Sequence, residues 1–85
     1  MPYIKKSQRN LFEYHLSKLI ANNPGELNYL LTRISLNYIN TCDDTLKYQH
    51  LNDGIGALEC CKLELYRRLA VPYEDLKVEE NGDVY

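Results

Sequence analysis

Apolar residues recur along this chain at helical spacing in three runs. The first run holds Phe12, Leu16, Leu19 and Ile20, with Tyr14 and His15 beside them. The second holds Leu27, Leu30, Leu31, Ile34 and Tyr38. The third holds Leu51, Ile55, Leu58, Leu65 and Leu69, with Lys62 filling the one gap in the line. Steps of three, four and seven residues place each set on one face of a helix. Polar punctuation separates the runs. Asn23 is a good N-cap, Pro24 suits the first helical position, and Glu26 falls where a capping-box acid belongs. The segment 40–45 is a polar break, and Pro72 is expected to stop the third helix. The pattern therefore predicts helices over 5–21, 24–40 and 44–71. In the remaining tail, 72–85, Asn81-Gly82 between short alternating segments reads as a hairpin turn. A lone hairpin is weak in water, so the tail and its aromatic last residue are expected to dock on the helices or on a neighbour. The fold expected is all-α: a three-helix antiparallel bundle with a short C-terminal β-hairpin or extended tail, in one domain over 1–85.

The third run carries more than one buried face needs. A second line passes through Asn52, Gly56, Glu59, Leu63, Tyr66 and Ala70. A helix that is wet on that side seldom combines Gly, Leu and Tyr there. The first line is thus assigned to the chain's own core and the second to a partner subunit or a ligand. Gly54 and Gly56 each cost roughly 1 kcal/mol against Ala inside a helix. Either they mark a frayed first turn capped by Asn52 or Asp53, or they admit a close backbone or flat ligand. Glu59 either pairs with Arg33, Arg67 or Arg68, or stays solvated beside Lys62.

Size adds to the case for self-association. A chain of 85 residues builds only a marginal core, and oligomerisation is a common remedy. Cys42, Cys60 and Cys61 form no even disulfide framework and have no metal-ligand spacing to His15 or His50. That points to a reduced, cytoplasmic protein, without signal peptide or membrane span. The net charge of −2 is unevenly distributed. Lys5, Lys6, Arg9 and Lys18 against Glu13 leave residues 1–20 at +3. Glu74, Asp75, Glu79, Glu80 and Asp83 against Lys77 leave residues 74–85 at −4. Opposite ends can attract within a chain or between copies. General nucleic-acid binding needs a broader basic surface and is not expected. Eight tyrosines beside one Phe and no Trp favour interfaces and ring-stacking sites.

No Ser–His–Asp set, phosphate-cradling loop or zinc-binding helix motif can be assembled. Both histidines stand alone. Glu26, Glu59 or Asp53 is available as a general base, but no nucleophile or metal set accompanies them, and no enzyme and no cofactor is expected.

Several segments together carry a resemblance: Tyr3-Ile4-Lys5-Lys6, Gly25-Glu26-Leu27-Asn28-Tyr29-Leu30-Leu31-Thr32, Asn52-Asp53, Gly56-Ala57-Leu58-Glu59, Tyr66-Arg67-Arg68, Pro72-Tyr73-Glu74-Asp75 and Asn81-Gly82-Asp83-Val84-Tyr85. In this order they resemble a family of small, uncharacterised proteins from phages and prophage-bearing bacteria. The resemblance spans nearly the whole chain and transfers no catalytic residue. By analogy it suggests immune evasion in the host cytoplasm: a sponge that binds a cyclic nucleotide signal without cleaving it. Such a ligand asks for ring platforms (Tyr29, Tyr66), cations for phosphates (Lys5, Lys6, Arg33, Arg67, Arg68) and polar groups for base or ribose edges (Asn28, Thr32, Asn52, Asp53). The competing expectation is a structural or adaptor protein, in which the same Tyr and Arg side chains anchor protein contacts.

Overall fold

A computed structural model of the chain describes residues 3–41 and 48–85. The described residues divide between two units, one within Met1–Leu46 and one within Lys47–Tyr85. All regular structure among them is helical. The all-α expectation holds at that level.

The first unit holds α1 (Lys6–Leu16) and α2 (Pro24–Thr41). At the start of α1 the Lys5 N–H donates to the Gln8 side-chain oxygen at 3.2 Å, and the Gln8 N–H returns to the Lys5 carbonyl at 2.9 Å. This reciprocal cap uses a glutamine three residues in, a signal the sequence reading passed over. α1 ends at Leu16, short of the expected residue 21. The Ser17 hydroxyl donates to the Tyr14 carbonyl at 2.9 Å, and Lys18 and Leu19 N–H groups turn to carbonyls three residues back. These tight bonds end the helix before Leu19 and Ile20, which therefore lie in the connection.

α2 begins where the cap chemistry puts it. The Asn23 side-chain oxygen accepts the Glu26 N–H at 2.8 Å. The Glu26 carboxylate in turn takes the Asn22 N–H at 3.0 Å and the Asn23 amide at 3.2 Å. The acid thus reaches one residue further back than in a standard capping box. Gly25 is needed here: a Cβ at this position would stand 3.3 Å from the Asn23 cap oxygen.

The second unit is one helical run. It comprises α3 (Tyr48–Leu65), a π-helical turn (Tyr66–Ala70) and α4 (Val71–Asn81). The expected start near 44 lies outside the described residues. Two expectations for its far end are overturned. Pro72 does not stop the helix, and no hairpin follows. The π-turn lets the chain pass Pro72: the Val71 N–H bonds to the Tyr66 carbonyl five residues back, and Pro72 falls in the first turn of α4, where proline is tolerated. Asn81-Gly82 serves as the end of α4, with Gly82 at φ 87° and its N–H on the Val78 carbonyl at 2.8 Å. The positive φ that suits a hairpin turn also suits a helix C-terminus. Beyond it Val84 and Tyr85 are fully exposed, so these last residues do not pack on the chain's own helices.

No described residue is buried. The least exposed, such as Leu30, Ile39, Leu51, Cys60 and Ala70, are half-buried. Both apolar lines of α3 face solvent: Ile55, Leu58, Leu65 and Leu69 on one, Leu63 and Tyr66 on the other. Gly54 and Gly56 lie well inside α3, so neither marks a frayed first turn and Asn52 and Asp53 are not caps.

Candidate ligand-binding surface

α2 presents the clearest polar strip. Asn28 with Thr32, and Tyr29 with Arg33, are each four residues apart on one helix and therefore side by side. All four are exposed. Tyr29 also lines a shallow hollow of about 420 Å³ with Ile20, Asn23, Gly25, Glu26 and Leu30, so one edge of its ring borders apolar surface.

A larger cleft of about 570 Å³ separates α1 from α2. Its apolar wall includes Ile4, Phe12, Leu16, Leu19 and Ile34, and its polar lining includes Arg9, Glu13, His15 and Asn37. The volume falls within the range of small-molecule pockets. The His15 ring sits edge-on to Tyr14, 5.3 Å between centroids, and Lys18 Nζ lies 4.2 Å over the Tyr14 ring. His15 thus lies on an exposed helix face against its neighbour Tyr14.

The cations divide by unit. Among the described residues Lys5, Lys6, Arg9 and Arg33 have no ion pair. The first turn of α1 carries no acid, so Lys5, Lys6 and Arg9 add to the positive end of the helix dipole. In the second unit each described cation has a carboxylate nearby. Arg67 and Arg68 both donate to the same Glu64 oxygen, at 2.6 and 2.5 Å. Lys62 pairs with Glu59 at 3.0 Å and Lys77 with Glu80 at 3.1 Å. Glu59 therefore takes the solvated reading. Asp53 accepts a bond from the Gln49 amide at 2.7 Å, while Asn52 is exposed on the same helix.

Tyr66 is also engaged. Its hydroxyl donates to Glu74, 3.1 Å from each carboxylate oxygen. That hydrogen bond, the negative charge beside it and slight desolvation raise the Tyr66 pKa above 10.0. Of the eleven candidate residues, Asn28, Tyr29, Thr32 and Arg33 come together on α2, and Lys5 and Lys6 stand together at α1. Tyr66 and Arg67 are occupied within their own helical run.

Among the described residues no three His, Cys, Asp or Glu side chains are grouped to hold a metal ion. No described helix is long and apolar enough to cross a membrane. The residues define an all-α protein whose polar chemistry lies on open helix faces. Residues 1–84 match the profile described as a domain of unknown function, DUF6899, and the chain belongs to that family. No curated protein and no solved structure matches it.

Proposed function

We propose that the chain is a non-catalytic binding protein that sequesters a cyclic nucleotide, in a homo-oligomer whose copies complete the site. The observation that carries this reading is Arg33, a cation without a carboxylate partner among the described residues, one turn from the exposed Tyr29 ring. Arg33 and Tyr29 are adjacent on α2, and neither is committed to another described side chain. A guanidinium meets phosphate through paired hydrogen bonds. A tyrosine face stacks a base, worth roughly 1–3 kcal/mol per base in single-strand binders. Asn28 and Thr32 beside them offer donors and acceptors for base or ribose edges. Arg67 takes part only by giving up its bond to Glu64. A phage origin and action against nucleotide-based immunity extend the same proposal.

A thermal-shift screen against cyclic di- and trinucleotides and cyclic ADP-ribose isomers, with ATP, GTP and NAD as controls, tests it. A ligand that binds only the folded protein raises the melting temperature by mass action. A selective shift, with the ligand recovered chemically intact, supports the sponge. No shift across the panel removes it. The adaptor reading then stands, favoured by the exposure of Tyr29, Leu63, Leu65 and Leu69, side chains suited to a protein partner.

A further inference from the structure

The apolar faces of this chain exceed what it covers itself. No described residue is buried, and Phe12, Leu16, Ile34, Val71 and Val78 all keep a third or more of their surface exposed.

Two faces are complementary. The α1–α2 cleft has an apolar wall that includes Phe12, Leu16 and Ile34. Arg9 also lines it, and Lys6 stands one turn before Arg9. Both cations are without an ion pair among the described residues. On α4, Val71, Asp75, Val78 and Glu79 fall on one face by their spacing of four, three and one. Asp75 and Glu79 likewise have no ion pair there, while Glu74 and Glu80 are held by Tyr66 and Lys77. This face has the apolar spacing that an apolar groove accepts, and its acids are opposite in charge to Arg9 and Lys6, with Glu13 the one acid in the groove lining.

We infer that this face of α4 from one copy docks in the α1–α2 cleft of a second copy, Asp75 and Glu79 meeting Lys6 and Arg9. The contact joins unlike surfaces, so it propagates from copy to copy and closes into a ring or extends as a chain. It does not depend on the ligand proposed above.

Zero-length carbodiimide coupling, which joins a lysine to a touching carboxylate, tests the contact on the unaltered protein. Unlabelled and ¹⁵N-labelled protein are mixed, allowed to exchange, coupled and read by mass spectrometry. Mixed-isotope peptides linking Lys5 or Lys6 to Asp75 or Glu79 are expected. Links within one isotope only place the contact inside a chain and overturn the proposal, as does the absence of any such link. Charge reversal gives an independent reading, with helicity followed in parallel. Arg9→Glu and Glu79→Arg are each expected to weaken self-association about tenfold, and the double variant to recover most of it. A monomer at every concentration, or a double variant as weak as the sum of its parts, also overturns it.

Discussion

The Tyr66 hydroxyl reaches the Glu74 carboxylate, eight residues on, at 3.1 Å to both oxygens. In a regular α-helix, position eight lies about 80° around the axis from the first. The π-turn at Tyr66–Ala70 takes up one extra residue and brings Glu74 back over Tyr66. The hydrogen bond thus reports the π-turn, and its loss would report the return of an ordinary helix.

That bond has a pH signature. The folded-state pKa of Tyr66 is raised, chiefly by the bond to Glu74. Its stabilising contribution is therefore fully present below the ordinary value of 10.0 and is lost as pH rises through the raised value. Absorbance titration of the phenolates should place the Tyr66 step late, above 10.0. Glu74→Gln should move that step down toward 10.0 and leave neutral-pH helicity unchanged.

Pro72 and the π-turn depend on each other. A proline in a regular helix interior costs about 3 kcal/mol, and the π-turn avoids much of that penalty. Pro72→Ala should let regular hydrogen bonding re-form through 66–72, raise the melting temperature and abolish the late tyrosine step. A late step that persists in Pro72→Ala would show that the π-turn is held by other contacts.

Asn23 anchors α2 through one oxygen and one amide. Asn23→Ala should cost about 1 kcal/mol of stability, whereas Asn23→Asp should keep most of it. Denaturant melts of the three proteins compare them directly.

Gly56 has open space where a Cβ would stand: nothing lies within 4 Å. Gly56→Ala should stabilise α3 by about 1 kcal/mol through helix propensity alone. A lower melting temperature instead would mean that a neighbouring copy or a ligand lies against this position.

For a ligand found in the thermal-shift screen, Arg33→Ala should reduce the shift strongly and leave self-association intact. Arg67→Ala should have the smaller effect, because Glu64 holds that guanidinium at 2.6 Å. Equal shifts in wild type and Arg33→Ala would remove Arg33 from the site.

What the sequence disclosed was decided locally. The start of α2 is legible because Asn23, Pro24 and Glu26 act on backbone groups within one turn. The end of α1 is not, because Leu19 and Ile20 continue the apolar pattern after Ser17 has already turned the backbone. Pro72 misleads because proline normally ends a helix, and the π-turn that admits it has no sequence signature. Asn81-Gly82 misleads because hairpin turns and helix ends share the same need for positive φ. The candidate site was legible only in part. Spacing alone brings Tyr29 to Arg33, whereas the bonds that occupy Arg67 and Tyr66 depend on Glu64 and on a π-turn that brings Glu74 within reach.

A chain with no buried residue among those described has little to hold its fold when isolated. A single helix such as that of the second unit is marginal in water. On the docking between copies proposed above, its integrity depends on how many copies are present. On that proposal, below some copy number the protein would spend its time open to proteases and its level would fall further; above it, the covered faces would protect every copy at once. Gene dosage and timing of synthesis would then set the amount of protein in the cell in steps rather than in proportion.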